Sequence, residues 1–380
     1  ALYESNYKHF DQQLVVSSTK AMRSLIFIAN DSVENVHLFL CNFFEYCQKH
    51  LTTSNSLFES PEVRFTFQNS LCDLLVALGR KMATNNEICH KSFEALLQFV
   101  TNPQQLVFEE AMLAISAFIK QIATLIDPEV IKKLYHTAME TLTITSEQKI
   151  ISAASLIQSL LEKQFITFLV EEKQQVVLEI YHHLQTSIRD NPLLKNSHCY
   201  VLYAIASLFQ YVDNDLLVPL QEEFWGFLQF SIEVTIDVDL KAESVDDDDD
   251  FETAAIVHYL NSYYQEWCHC LTQYVSCFIE TPKNPFVKEI NHEHVMKNVL
   301  DLLNKLGYKL MQIGYENINV GLYRMYINLV GTITSKCTRS HNSLLNKIII
   351  KKPIVEAIEV FQDTKSQKVA QALLNQMDSL

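Results

Sequence analysis

The sequence predicts an all-α protein, a right-handed α-solenoid superhelix of about nine HEAT-type repeats built from paired antiparallel helices. Three observations lead there. Glycine is scarce, with 6 residues in 380, where an average usage of about 7 % would give roughly 27. Sandwiches, barrels and doubly wound folds need glycine at positive φ in turns and phosphate loops, so this scarcity counts against them. Apolar residues recur at helical spacing along almost the whole chain. Predicted helices of about 15 to 25 residues, taken in pairs, give a period of about 40, the period of HEAT and armadillo repeats. A helix pair cannot bury its apolar face alone, so neighbours must stack. An ordinary all-helical globule is the alternative. A single core rarely grows beyond about 250–300 residues, and no stretch rich in Pro, Gly or Ser divides this chain. One continuous array over residues 1–380 is therefore expected. The chain opens on Ala1 within a helical pattern, which suggests a fragment of something longer.

The individual helices have recognisable starts. Ser60-Pro61-Glu62 opens one that runs through Phe67, Leu71, Leu74, Leu75 and Leu78. Leu106 to Ile122 carries a wide apolar stripe that ends at Asp127-Pro128. Asp is a good N-cap and Pro suits the first helical position, so a new helix begins there. Thr145-Ser146-Glu147 opens a helix through Ile150, Ala153, Ile157 and Leu160, and Leu194-Lys195-Asn196-Ser197 precedes another. Further breaks are expected near 213, at 240–250, 281–285, 314–319, 339–342 and 351–353.

The charge is concentrated. The formal net charge is −15. Residues 213–252 hold 14 acidic residues against the single base Lys241, a net −13, while residues 1–212 sum to −5 and 253–380 to +3. Asp237 to Asp250 reads as an acidic loop between helices, because five consecutive aspartates repel one another and stay solvated. Before it, residues 215–233 read as a helix with Glu222 and Glu223 beside Trp225. Carboxylates next to an exposed aromatic suit an Arg/Lys-rich peptide, pairing with guanidinium groups while the ring stacks on them. Trp225 as plain core remains the other reading. The candidates for a basic ligand are Glu172, Glu179, Glu222, Glu223, Trp225, Glu233, Asp237, Asp239, the run Asp246, Asp247, Asp248, Asp249 and Asp250, then Glu293 and Asp301. The second helix of each repeat is their expected wall. Strong acidity argues against direct binding of nucleic acid or an anionic membrane.

Catalytic signatures are missing from the sequence. It contains no GxGxxG or GxxxxGKS phosphate loop, no GxSxG and no HExxH. The close pairs in Cys268-His269-Cys270 and His292-Glu293-His294 stand two residues apart, so on a helix they diverge and cannot share an ion. No catalytic residue, metal or cofactor is expected, and the chain reads as a non-enzyme. Nine cysteines without a CxxC pair suggest reduced, mostly buried thiols of the cytosol or nucleus.

Several segments resemble the importin-beta (karyopherin beta) family. Val107-Phe108-Glu109-Glu110-Ala111-Met112-Leu113-Ala114-Ile115-Ser116 is similar to the EEAxLAxS helix midway along that family. The acidic stretch from Leu217 through Asp246–Asp250 to Tyr263 and Cys268 resembles a later one. Thr364 to Leu374 resembles the last helix, and Leu2-Tyr3-Glu4-Ser5 an inter-repeat opening. The segments stand in the family's order, so the chain resembles its C-terminal half, about the last nine HEAT repeats. The resemblance implies a nuclear transport receptor. Its acidic inner surface would hold the Arg-rich importin-beta-binding segment of importin alpha or another basic cargo, and Ran-GTP would regulate it. It would work between cytoplasm and nucleus and at the nuclear pore. There Phe-Gly nucleoporins would bind between outer helices, with Ala204, Ser207, Phe209 and Tyr211 as candidate positions. Plain packing between repeats is the other reading of those four. A HEAT scaffold organising a multiprotein assembly and an exportin-type receptor remain alternatives.

Overall fold

A computed structural model of the chain describes residues 12–29, 38–39, 41–43, 45–47, 49–50, 61–81, 86–101, 107–122, 126–163, 165, 173–233, 247–279, 292–337 and 339–379. Among these the regular structure is helical, with no strand. The chain divides into two compact units, Ala1–Glu171 and Glu172–Leu380.

The first unit contains α1 (Gln12–Ile28), α2 (Pro61–Lys81), α3 (Asn86–Val100), α4 (Phe108–Ile122), α5 (Pro128–Leu142) and α6 (Glu147–Glu162). The start signals read from sequence set these helices. The Asp127 carboxylate accepts the Glu129 N–H at 2.9 Å with Pro128 at the first helical position, and Ser146 occupies the N-cap position of α6 without a side-chain cap hydrogen bond. Helices pack on the next in sequence (α1 on α2, α3 on α4, α5 on α6) and on the next but one (α2 on α4, α4 on α6). That ladder is the packing of stacked helical repeats. α6 shows its cost in composition. Residues Ile150–Leu161 are buried almost all round, with only Ser155 partly exposed, so Ser and Ala stand where neighbours come close.

The second unit contains α7 (Lys173–Arg189), α8 (Lys195–Tyr211), α9 (Gln221–Ile232), α10 (Asp247–Phe278), α11 (His292–Ile313), α12 (Val320–Thr334), α13 (Lys347–Val360) and α14 (Thr364–Ser379). A short turn, Asn214–Leu217, and a 3-10 turn, Val218–Leu220, lead into α9. The ladder again has two rails. α8, α10, α12 and α14 pack on one another in turn, and α9, α11 and α13 form the other rail, with α7 joined to α9 through Tyr181 and Phe224. Two asparagines repeat one device along it. Asn261 on α10, buried, donates to Asn317 O and accepts the Asn319 N–H, at 2.8 and 2.7 Å. Asn304 on α11 donates to Leu344 O and accepts the Asn346 N–H, at 2.9 and 3.0 Å. Asn319 and Asn346 are in turn the N-caps of α12 and α13. Each clamp fixes where the helix two places onward begins.

Cysteines serve the same packing. Cys47, Cys72, Cys268, Cys270 and Cys277 are buried free thiols. Cys270 and Cys277 of α10 donate to Leu202 O and Phe209 O of α8, at 3.2 and 3.0 Å.

Two sequence expectations are corrected here. The break at 351–353 is absent, and α13 runs through Pro353. Proline has no N–H, so the Ile349 carbonyl loses its helical partner. That carbonyl lies against Gly307 of α11, where a Cβ would sit 3.4 Å from it and 2.6 Å from Ile349 Cγ2. The missing Cβ is what lets α11 approach. Likewise Asp247–Asp250 are helical, as the first turn of α10, and do not belong to a loop. Acidic residues are favoured at a helix N-terminus, where the unpaired N–H groups and the dipole offset their mutual repulsion.

Two glycines give an opposed pair of outcomes. Gly307→Ala is expected to cost about 1–3 kcal/mol by overpacking. At Gly226, in the middle of α9, a Cβ would meet nothing within 4 Å, so Gly226→Ala is expected to stabilise by about 0.5–1 kcal/mol. Urea denaturation midpoints, read at unchanged slope, measure both.

Candidate functional site

α9 sits on an aromatic bed. Phe224 stacks on Phe209 of α8 with ring centroids 3.9 Å apart. Tyr181 of α7 meets both rings edge-on, and Tyr274 of α10 closes the cluster. Burial pushes the Tyr274 hydroxyl up to about 12, against the side chain of Gln221, whose hydrogen bond pulls it down. At the far end of α9, Trp267 is fully buried and its Nε1 donates to Ser231 Oγ at 3.0 Å. Tyr263 Oη donates to Ser231 O at 2.7 Å. These bonds tie the last turn of α9 to α10 and so hold the adjoining Glu233 in place.

With α9 fixed on one face, its opposite face carries the acids. Glu222, Glu223 and Glu233 are exposed. So are Glu293 and Asp301 on α11, while Glu179 on α7 is half-buried. Every acidic candidate whose side chain is described thus lies on the α7–α9–α11 side of the ladder. Several already have a cationic neighbour in the chain. His182 Nε2 of α7 lies 2.8 Å from Glu223. Lys305 of α11 reaches Glu233 at 3.4 Å and Asp301 at 3.8 Å, and Lys309 reaches Glu233 at 4.0 Å. Such exposed pairs contribute only about 0.2–1 kcal/mol each. They leave carboxylate oxygens free to accept more donors.

Trp225 proves to be core. It is 9 % exposed and tilts against Tyr274 at 5.7 Å. The exposed aromatic of this face is Phe230, 42 % exposed, with the Arg189 guanidinium of α7 5.4 Å from its ring centroid. The reason is the phase of the helix. Trp225 falls on the stripe that contacts α10, and Phe230 falls off it.

The four Phe-Gly candidates lie on α8, on the other rail. Ala204, Ser207 and Phe209 are at most 2 % exposed, and Tyr211 is half-buried. Phe209 is engaged by Phe224 and Tyr181, so the packing reading describes these positions. Glu172, Asp237, Asp239 and Asp246 lie outside the described residues, and for Asp247 to Asp250 the description is of the backbone alone.

His182, Arg189, Phe230, Lys305 and Lys309 are the members of this face that sequence reasoning missed. Only the Asp301–Lys305 pair, four residues apart on one helix, had a local signal. The others meet across 41 residues or more.

No protein-family model and no curated protein matches the chain. Among solved structures it is similar to a designed armadillo repeat protein, at 15 % identity and a TM-score of 0.42, over 74 % of this chain and 98 % of that one. It is also similar to a circular tandem repeat protein with novel repeat topology and enhanced subunit contact surfaces. There the identity is 13 % and the TM-score 0.39, over 97 % of this chain and 95 % of that one. Both likenesses are weak, and the helical-repeat architecture stands on the packing described above.

Proposed function

We propose that this chain is a helical-repeat receptor that binds a basic, Arg/Lys-rich segment of a partner protein and performs no catalysis of its own. The observation that carries this reading is the exposed acidic row on α9 and α11, within and beside the band that holds a net −13. The Arg189 guanidinium lying 5.4 Å from the Phe230 ring centroid supports the reading of this face as suited to guanidinium groups. Each contact is weak, so affinity comes from number.

The finer reading is nuclear import. The basic segment would be that of importin alpha or another cargo, released by Ran-GTP, in a receptor that moves between cytoplasm and nucleus. It rests on the sequence resemblance to the importin-beta family together with the charge of this face. Docking of Phe-Gly nucleoporins stays within that reading, but not at Ala204, Ser207 or Phe209, which are enclosed. A second reading, a scaffold in a multiprotein assembly, is favoured by the internal pairs His182–Glu223 and Lys305–Glu233, which give the acids a packing role.

Binding of a fluorescent Arg-rich importin-alpha segment at rising salt tests the main idea. The receptor reading expects binding that weakens steadily with salt, as screening removes exposed pairs. Absence of salt-sensitive binding by a chain with a helical circular-dichroism spectrum would sink it. Added Ran-GTP then separates the finer readings: release marks an importin, enhanced loading an exportin, and no response a scaffold.

A further inference from the structure

The first unit holds a cavity of about 260 Å³ between α1, α2 and α4. Two carboxylates line it, Asp73 from α2 and Glu110 from the first turn of α4, together with Arg23 of α1. Glu110 Oε2 is sealed from solvent and has no hydrogen-bond partner among the described residues. A buried acceptor left so is costly, and a charged one more so. Burial pushes both carboxyls above their ordinary range, with Arg23 pulling Asp73 back down. Counted as charges, two carboxylates and one guanidinium leave the cavity one negative charge in excess. Asn69 and Cys72 also line it, and the remaining wall is apolar, with Phe27, Val76, Ala77, Leu113 and Ala114.

We propose that this cavity binds a single alkyl-guanidinium or alkyl-ammonium group. The cation would donate to Glu110 Oε2 and to Asp73, and its methylene stem would lie along Val76 and Ala114. One monovalent cation balances the excess charge, and the apolar wall suits a stem that a bare metal ion lacks. The site belongs to the first unit and to residues outside the acidic band, so it does not depend on the receptor reading.

The test is calorimetric titration of the full chain with L-argininamide and with its neutral isostere, citrullinamide. Saturable binding of argininamide, with citrullinamide at least about tenfold weaker, is expected from the loss of charge-assisted hydrogen bonds. E110Q and D73N should each weaken argininamide about tenfold, with the circular-dichroism spectrum unchanged. E140Q, at an exposed acid of α5 outside both the cavity and the acidic face, should leave it unaltered. A Gly/Ser peptide with one Arg supplies the second arm. Its binding assigns the cation to a protein side chain, and binding of argininamide alone assigns it to a free amine. Equal binding of argininamide and citrullinamide overturns the proposal without any variant. So does wild-type affinity in D73N, whose residue stands at the exposed edge of the cavity and is the safer substitution for folding.

Discussion

Trp267→Ala is expected to destabilise the second unit by about 3–5 kcal/mol, enough to unfold a marginal domain. Trp267 is the largest fully buried side chain of the protein's described core. Its removal leaves a cavity and strips Ser231 Oγ of its donor. Trp267→Phe separates the two contributions. It keeps much of the volume and loses the hydrogen bonds, so about 1–2 kcal/mol is expected. Because Ser231 lies in the last turn of α9, the same variant is expected to loosen α9 before it loosens α12. Hydrogen exchange should show the amides of Phe227–Glu233 opening first. Equal opening throughout α7–α14 would mean that Trp267 is only general core.

Neutralising Glu222, Glu223 and Glu233 together is expected to weaken an Arg-rich peptide by about 3-fold to 150-fold, since three exposed pairs at about 0.2–1 kcal/mol each add to about 0.6–3 kcal/mol. The three positions are not equivalent. Glu233 holds Lys305 and Lys309. Its neutralisation both removes an attraction and frees two cations that repel the ligand. Glu233→Gln alone should therefore cost more affinity than Glu222→Gln alone. The folding cost should be within about 0.5 kcal/mol per site, as is usual for surface substitutions. Fluorescence anisotropy at fixed ionic strength measures the first effect and urea denaturation the second.

Much of the architecture was legible before any coordinates. Asp127-Pro128 marked a helix start because capping and proline at the first position are local chemistry, and Pro61 and Glu147 likewise stand at the first positions of α2 and α6. Pro353 and Asp247–Asp250 misled for a shared reason. The first was read as a break and the second as a solvated loop by local rules, but α13 continues through Pro353 and the aspartates form the first turn of α10. The extent of α10 was largely legible, since no break is expected between 250 and 281, and only its start lies a few residues earlier than the expected loop allows. The acidic face was visible as composition, but its cations were not. His182, Lys305 and Arg189 come from other helices, and only stacking brings them to Glu223, Glu233 and Phe230. Trp225 is core and Phe230 is exposed because two aromatics five places apart on one helix differ in phase.

The central claim is that the α7–α9–α11 face, and not α8, receives a basic segment. Hydrogen exchange on the chain with and without a saturating Arg-rich peptide tests it most directly. The predicted result is protection of Gln221–Glu233 and of the first turns of α11, with Lys195–Tyr211 unchanged. Protection confined to Lys195–Tyr211, or no protection while the peptide is bound, would contradict it.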